Sequence, residues 1–259
     1  MPVVTRAFSR YVALGDSSTE GLDDPDGAGG YRGWADRLAE HLAAANPGLH
    51  YANLAVRGRL VRHVKEEQVA AAIALQPDVA TVFAGVNDVL RPRFDLAAVV
   101  ADLEQMYAAL CATGATVLTI TVPDPSRVMP VAKRLAPRIA AYNAAVRQAA
   151  ERTGVVVVDV GASEVAGDPR LWSDDRLHAN SLGHERIASA LACALDLPGA
   201  DPSWAEPLSP EPRRAPHAVA VAELRWLRAH FAPWVVRRVR GQSSGDGGQP
   251  KRPELRPFS

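Results

Sequence analysis

Short runs of β-forming residues alternate with longer helical patterns through the first two hundred residues, and this alternation limits the fold more than any other feature. The β-forming runs are Tyr11–Leu14, His50–Leu54, Val79–Ala84, Thr116–Val122 and Val155–Val160. The segments between them repeat apolar residues every three or four positions: Gly33–Ala45, Arg62–Ala74, Leu96–Thr113, Val131–Thr153 and Ser181–Leu195. Strands that alternate with helices form a parallel sheet covered on both faces. The sequence therefore predicts an α/β fold, a three-layer α/β/α sandwich.

Composition divides the chain of 259 residues into four parts. Residues 1–197 carry the alternating pattern and form the predicted main domain. Residues 198–217 are rich in proline and are expected to cross the surface as an irregular linker. Residues 218–240 predict a basic amphipathic helical extension, although Pro233 should kink or end its helix. Residues 241–259 have the glycine, serine and proline content of a disordered tail.

The overall composition, with 47% apolar and 22% charged residues, is that of an ordinary globular domain. Cys111 and Cys193 both lie in helical patterns, so we expect core packing in a reducing compartment rather than a disulfide. The first residues lack the ~7–15 apolar residues of a secretory signal. Later stretches do not reach the ~18 apolar residues of a membrane span. We therefore expect a cytoplasmic protein.

Charge is distributed unevenly although the formal net charge is zero. Residues 213–259 carry ten Lys and Arg against three Asp and Glu, a net charge of +7, which leaves −7 on the rest of the chain. Aromatic and basic residues are not interleaved as in nucleic-acid-binding modules, and the body is acidic. We therefore expect no nucleic-acid partner.

The helical extension combines an apolar stripe with basic residues. The stripe consists of Leu224, Leu227, Phe231, Trp234 and Val235, and four residues 237–240 of mostly basic character follow it. Such a helix either docks on its own domain or contacts an anionic membrane. Pro233 and the acidic body favour docking on the domain, and a peripheral membrane contact remains the alternative.

A serine follows the first predicted strand directly. Gly15-Asp16-Ser17-Ser18 places it at the carboxyl end of a strand, where open α/β sheets build their sites. Gly-Asp-Ser is also ordinary turn chemistry, so this tripeptide alone does not identify a nucleophile.

An acid precedes a histidine by three residues in Asp175-Arg176-Leu177-His178, just before a helical pattern. This spacing lets the carboxylate orient the imidazole and stabilise the cation that forms when the histidine takes a proton from serine. Taken alone, the same pattern is typical of a surface pair at the start of a helix.

Two further turns follow predicted strands. Asn87, in Gly85-Val86-Asn87-Asp88, follows the third strand, and Gly58 closes Asn53-Leu-Ala-Val-Arg-Gly58 after the second. A side-chain amide and a backbone N–H at such positions can donate to a developing oxyanion. Either turn alone could be purely structural.

Together, these four blocks resemble those of the SGNH hydrolases, also called the GDSL family, and the resemblance runs from about Tyr11 to Leu195. It implies a flavodoxin-like, five-stranded parallel sheet, with residues 1–197 as the catalytic domain. It also implies a serine esterase or lipase that needs neither cofactor nor metal and acts on small acyl esters.

Within this resemblance, Ser17 is the nucleophile, His178 the general base and Asp175 the residue that orients it. The backbone N–H groups of Ser17 and Gly58 and the side chain of Asn87 form the oxyanion hole. Two departures from the family pattern are Ser18 after the nucleophile, and Arg176 and Ala179 around the last block, which place a cation near the expected substrate entrance.

The loop 23–30 follows the nucleophile closely and is a candidate gate for substrate. The resemblance leaves the substrate open between carboxylic esters, thioesters and acetylated sugars, and the reaction between hydrolysis and acyl transfer. A catalytically silent binding module of the same fold is a further alternative.

Overall fold

The computed structural model describes residues 7–211, 215–239, 245 and 247–258. Its strands are β1 (Arg10–Gly15), β2 (His50–Asn53), β3 (Val79–Phe83), β4 (Thr116–Ile120), β5 (Val156–Val158) and β6 (Arg252–Pro257). Its main helices are α1 (Ser17–Glu20), α2 (Gly33–Ala45), α3 (Val61–Ala74), α4 (Val86–Val89), α5 (Leu96–Cys111), α6 (Ala136–Thr153), α7 (Ser181–Ala194), α8 (Pro216–Trp226) and α9 (Ala232–Val239). A π-helical turn, Leu227–Phe231, joins α8 to α9.

The strands form one sheet in the order β5-β4-β3-β1-β2-β6, and β1 to β5 pair in parallel. All five residues of β3 are buried, as expected for a strand covered by helices on both faces. Helices α2 and α7 pack together as one group, and α3, α5 and α6 as the other. The predicted α/β/α sandwich is therefore confirmed.

The order of the strands places the site. The chain passes from β1 to β2 on one side and then crosses to β3 on the other, so β1 lies at the point where the winding reverses. Crevices at the carboxyl ends of strands next to such a point are where α/β sheets bind ligands. Ser17, Gly58 and Asn87 follow β1, β2 and β3, and so lie at this edge of the sheet.

The sheet has a sixth strand that the sequence did not predict. β6 pairs antiparallel with β2, so the expectation of a purely parallel, five-stranded sheet is wrong at this edge. The expectation of disorder is also wrong for Arg252–Pro257, while residues 241–244, 246 and 259 lie outside the described residues. Arg252 donates to the carbonyl oxygen of Tyr51, and Phe258 packs edge-on against the Tyr51 ring, so side chains also hold β6 in place.

One predicted helix is divided in the structure. The segment expected to be helical over Val131–Thr153 begins with 3₁₀ turns at Pro130–Leu135, and its α-helical part starts at Ala136. Pro130 and Pro137 account for the irregular start, because proline lacks the N–H that an α-helix interior requires.

Pro233 was expected to kink or end the helix of the extension; the helix continues through it to Val239, so it does not end there. The π turn just before Pro233 widens the helix and accommodates a residue that lacks an N–H. The predicted stripe is only partly right: Phe231 packs against the domain beside buried Trp226, whereas Leu224 is 57% exposed. Residues 212–214 of the linker and residue 240 of the basic cluster lie outside the described residues.

No helix within the described part of the chain is both long and apolar enough to span a membrane.

Candidate active site

Ser17 lies at the turn between β1 and the short helix α1. Asp16 caps this helix by accepting a hydrogen bond from the backbone of Ser18. A Cβ atom at Gly15 would overlap the carbonyl oxygen of Phe83 and the side chain of Thr19, so the strand can turn here only at glycine. The side-chain amide of buried Gln68 accepts a hydrogen bond from the backbone N–H of Gly15 and donates one to its carbonyl oxygen, each 2.9 Å long. The turn that presents Ser17 is therefore fixed from inside the core.

Asp175 organises the loop that carries His178. One of its oxygens, Oδ1, accepts hydrogen bonds from the Ser173 hydroxyl (2.6 Å) and from the backbone N–H groups of Leu177 (2.8 Å) and His178 (3.0 Å). The loop is closed by a bridge between Trp172 and Ala179. These bonds leave the other oxygen, Oδ2, directed at the imidazole ring.

Three of the predicted residues form a continuous hydrogen-bonded chain. Oδ2 of Asp175 lies 2.7 Å from Nδ1 of His178, and Nε2 of His178 lies 2.8 Å from Oγ of Ser17. The neighbouring Ser18 lines the same cavity, but it is the hydroxyl of Ser17 that meets the imidazole. The arrangement joins a hydroxyl, a base and an orienting carboxylate in the order that nucleophilic catalysis requires.

The electrostatics of this chain suit proton transfer. Burial favours the neutral form of Asp175, yet the hydrogen bond and positive charge of His178 outweigh it and hold the pKa of Asp175 well below its usual range. Burial likewise opposes the charged form of His178, but hydrogen bonding and charge from Asp175 raise the pKa of His178 above its ordinary value. The imidazole is therefore a stronger base than a free histidine.

Asn87 lies at the same cavity, in the first turn of α4 after β3. Its side-chain nitrogen donates to Oδ2 of Asp16 (3.0 Å) and to the carbonyl oxygen of Arg59 (3.1 Å). Gly85, before α4, lies with φ 112° against the ring of Tyr142, where a Cβ atom would overlap the hydroxyl. Hydrogen bonds to Asp16 and Arg59 thus fix the position of the Asn87 side-chain amide.

Gly58 is placed less directly. It adopts φ 75°, which favours glycine, in the loop after β2. The adjoining Arg57 binds Glu20 of α1 through its backbone N–H (2.8 Å) and its guanidinium. This keeps the loop beside the helix that starts at Ser17, although the described cavity wall includes Asn87 and not Gly58.

Two acids beside these turns are buried. Burial raises the pKa of Asp16 to about 7, despite the hydrogen bond from Ser18 and the charge of His178. Burial also raises the pKa of Asp88 to about 6, and Asp88 accepts a hydrogen bond from the backbone of Val61. Both side chains connect neighbouring turns of the site.

The buried His184 connects parts of the fold. Its Nδ1 atom accepts from the backbone of Trp34 (3.0 Å), and its Nε2 atom donates to the carbonyl oxygen of Leu22 (3.1 Å). Burial lowers the pKa of His184 to about 4, so the ring is neutral near pH 7. It holds both ends of the segment that includes the candidate gate, residues 23–30.

Asp23 is the residue near the base that the sequence did not reveal. It opens the loop expected to act as a gate, has φ 68°, and places its Oδ2 atom 3.8 Å from Nδ1 of His178. Since Asp23 and His178 are far apart in the chain, no local spacing could have linked them.

Asp23, Asp175 and His178 are also the group within the described residues that could contact a metal ion. Their ligand atoms lie within 4.8 Å of one another. The hydrogen bond between Asp175 and His178 accounts for much of this closeness, and the group by itself does not identify a metal site.

A cavity of about 120 Å³ surrounds the Ser17 hydroxyl. Apart from Asp16, Ser17, Asn87 and His178, its wall is largely apolar, with contributions from Phe83, Val122, Met129, Ile139, Val160 and Leu171. An ester group can therefore reach the polar end while its hydrocarbon part contacts apolar side chains.

The helical extension contacts the loop of the base directly. The indole N–H of Trp226 donates to the carbonyl oxygen of Asp175 (3.1 Å). Arg176 pairs with Glu223 at 2.8 Å, and its guanidinium lies 4.7 Å from the centre of the Trp226 ring. The cation that Arg176 was expected to place near the substrate entrance is therefore paired with Glu223 and stacked on Trp226.

Comparison with known proteins agrees with this geometry. The model of the GDSL-like Lipase/Acylhydrolase family matches residues 13–186, the range that holds all of the predicted site residues. A search of curated proteins finds no match.

Several solved structures are similar to this chain. One is LAE5, an α/β hydrolase enzyme from the metagenome of Lake Arreo, Spain, with 24% identity and a TM-score of 0.63, over 73% of this chain and 95% of that one. Another is a catalytic mutant of Axe2, an acetylxylan esterase from Geobacillus stearothermophilus, with 22% identity and a TM-score of 0.63, over 75% and 97% of the two chains. The psychrotrophic esterase EstA from Pseudoalteromonas sp. has 18% identity and a TM-score of 0.57, over 73% and 97%. At these identities the likeness establishes a shared fold.

The family model covers about two thirds of the sequence and contains Ser17, His178 and Asp175. The resemblance seen in the sequence is thereby confirmed. The chain belongs to the GDSL-like lipase and acylhydrolase family and is a carboxylic ester hydrolase.

Proposed function

We propose that the protein hydrolyses carboxylic acyl esters through a covalent acyl-enzyme intermediate on Ser17, with His178 as general base and Asp175 as its orienting acid. The observation that carries this proposal is the chain of hydrogen bonds from Asp175 through His178 to Ser17, with lengths of 2.7 and 2.8 Å. It leads to the Ser17 hydroxyl, at the turn after the central strand β1.

In the first half of the reaction, Nε2 of His178 takes the proton of Ser17 as Oγ attacks the acyl carbonyl carbon. Asp175 stabilises the imidazolium that forms, and the imidazolium then gives its proton to the departing alcohol. In the second half, His178 removes a proton from water as the water attacks the acyl-enzyme, and the imidazolium then returns this proton to Oγ of Ser17 as the bond to the acyl group breaks and the acid leaves. The raised pKa of His178 favours both proton abstractions.

The oxyanion of the tetrahedral intermediate would accept hydrogen bonds from the backbone N–H groups of Ser17 and Gly58 and from the amide of Asn87. In the free enzyme this amide is bonded to Asp16 and to the carbonyl oxygen of Arg59. We propose that one of these bonds is exchanged for the oxyanion. Protonation of Asp16, whose pKa is raised to about 7, would make its bond the easier one to give up.

The substitution Ser17→Ala tests the assignment of the nucleophile, with Ser18→Ala as the matched control on the same turn. We expect Ser17→Ala to lower kcat by about 10⁴-fold or more for p-nitrophenyl butyrate, because only binding and the oxyanion hole remain. Ser18→Ala should retain most activity. Both proteins should show unfolding temperatures close to that of the unmodified chain.

A fluorophosphonate probe, followed by peptide mass spectrometry, identifies the nucleophile independently of substrate. Labelling of Ser17 is expected. Labelling of Ser18, or swapped activities in the two alanine variants, would refute the assignment, and no labelling in a folded protein would favour the silent binding module.

Thioester hydrolysis and acyl transfer remain alternatives, because both proceed through the same acyl-enzyme. The similar structures include acetylxylan esterases, so acetylated sugars belong in the substrate panel together with simple esters and acyl thioesters. Adding an alcohol during turnover separates hydrolysis from transfer, since a transferase would form the new ester instead of the free acid.

A further inference from the structure

A second cavity, of about 460 Å³, lies between the catalytic domain and the helical extension. One wall comes from the domain, including Leu90, Met129 and Leu177, and the other comes from the extension, including Trp226, Phe231 and Trp234. The match to the family model ends at residue 186, so the second wall comes from a part of the chain beyond that match.

The two cavities have part of their walls in common. Leu90, Met129 and Leu177 line both the cavity around Ser17 and the cavity under the extension. Leu177 is the residue directly before the base, and Asp175 borders the second cavity as well. A molecule bound at Ser17 therefore has the second cavity immediately beside it.

The wall of the second cavity has the chemistry of a hydrocarbon-binding surface. The Trp226 and Phe231 rings lie 5.5 Å apart and the Phe231 and Trp234 rings 6.2 Å apart, which makes a continuous aromatic surface. Opposite it, Met129 and Ala132 are buried and apolar. Three charged side chains also border this cavity: Arg134 and Asp175 come from the domain, and Arg237 comes from the extension.

The surroundings also make this wall a fixed part of the site. Trp226 is buried, donates to the backbone of Asp175 and stacks with Arg176, which in turn pairs with Glu223. These contacts hold the extension against the loop of the base. The outer face of the same helix, with Leu224 and Leu227 exposed, does not line the cavity.

We propose that the cavity beneath the extension binds the hydrocarbon chain of the ester whose acyl group reacts at Ser17, so that the extension selects esters with a long aliphatic part. This inference rests on the proposed ester hydrolysis. Each methylene moved from water into such a cavity favours binding by about fourfold, so chain length becomes a strong determinant of kcat/KM.

Filling the cavity tests the proposal. Ala229 lines it from the extension, and Val131, which is 50% exposed, lines it from the domain. Ala229→Phe and Val131→Phe should each displace two or more methylenes of a bound chain. We expect each to lower the ratio of kcat/KM for p-nitrophenyl octanoate to that for p-nitrophenyl acetate by about 15-fold. Leu224→Phe, on the outer face of the same helix, is the matched control and should leave the ratio unchanged.

A second pair of substrates, octyl acetate and ethyl acetate, distinguishes the two sides of the ester. A lowered ratio with p-nitrophenyl octanoate places the acyl chain in the cavity, and a lowered ratio with octyl acetate places the alcohol chain there. Either result supports the proposal. Unchanged ratios in both cavity variants, or an equal loss in Leu224→Phe, would overturn it. Having one variant on each wall keeps the test decisive if one of them does not fold.

Failure of the proposed function would look different. If the unmodified protein hydrolyses no ester, the cavity can still be tested by titrating 1-octanol and following tryptophan fluorescence, since Trp226 and Trp234 lie in its wall. We expect a saturable change that Ala229→Phe weakens at least tenfold and Leu224→Phe preserves. A saturable change that is equal in all three proteins, or no change at all, would exclude binding at this cavity.

Discussion

Ser17 follows directly from the central strand β1, whereas His178 lies in the loop between the 3₁₀ turn Pro169–Leu171 and helix α7. The turn at Ser17 is held by buried groups of the core, Gln68 and the close approach of Gly15 to β3. The loop at His178 is held by its own hydrogen bonds to Asp175 and, from outside, by Trp226 of the extension. The position of the nucleophile thus depends on the sheet, and that of the base on local hydrogen bonds and on a helix that lies beyond the match to the family model.

Among the substitutions that separate the two regions, loss of the Asp175 carboxylate beside His178 should have the largest effect on kcat. We expect Asp175→Asn to lower kcat by about 10³- to 10⁴-fold, because the imidazolium loses its partner and the ring its orientation. Asp23→Asn should lower kcat far less, since Asp23 lies 3.8 Å from the ring and does not bond to it. Steady-state kinetics of both variants and of the double variant measures the two roles. Equal losses in the two single variants would mean that Asp23 shares the orienting role.

The same variants also predict a change in pH dependence. His178 must be neutral to accept a proton, so kcat/KM should rise with pH through the pKa of His178, which lies above its ordinary value. In Asp175→Asn the loss of the negative charge lowers this pKa. The remaining activity should therefore persist to lower pH than in the unmodified enzyme. An acid limb that stays in place would show that another group controls it.

Loss of the Asn87 amide should have the next largest effect. Asn87→Ala is expected to lower kcat by about 100- to 1000-fold with little change in KM, because the oxyanion exists only in the transition state and intermediate. A change confined to KM would make Asn87 a residue that positions substrate. Because Asn87 also donates a hydrogen bond to buried Asp16, the thermal unfolding of the Asn87→Ala variant should be measured as well.

Of these effects on kcat, the one from loss of the contact by which the extension positions His178 should be the smallest. Trp226→Phe keeps an aromatic ring beside Arg176 but removes the hydrogen bond to the carbonyl oxygen of Asp175. A neutral hydrogen bond of about 1 kcal/mol corresponds to about a fivefold loss in kcat if it acts wholly on the loop. The exposed Leu224 offers the control Leu224→Ala, for which we expect no change in kcat. Identical kinetics for Trp226→Phe and the unmodified enzyme would show that the loop holds the base unaided.

The parts of the site that could be predicted from the sequence are the residues that follow the end of a strand. Ser17, Asn87 and Gly58 each follow a run of apolar residues, and the bounds of α2 were predicted to the residue because its apolar spacing is regular. Asp175 and His178 are three residues apart, so one loop brings them together. These features depend on local sequence and on the topology that alternating strands and helices impose.

The parts that sequence reasoning missed depend on contacts between distant residues or on weak local patterns. Asp23 reaches His178 only because the loop after α1 folds back over the site. Strand β6 contains two prolines and three charged residues and has no apolar alternation, a composition that an edge strand tolerates and a central strand does not. The inward-facing side of the extension could not be assigned either, because its π turn shifts the helical phase before Pro233.

The late position of strand β6 in the sequence has a consequence for folding during synthesis on the ribosome. Until Arg252–Pro257 pairs with it, β2 is the open margin of the sheet, with backbone groups that invite pairing with other chains. About 200 residues separate the two strands, so at ribosomal rates of about 5 to 20 residues per second β2 stays uncovered for roughly 10 to 40 s. By the end of that interval the nascent chain contains its serine, its histidine and its main helices, while one edge of its sheet is still available for misassembly.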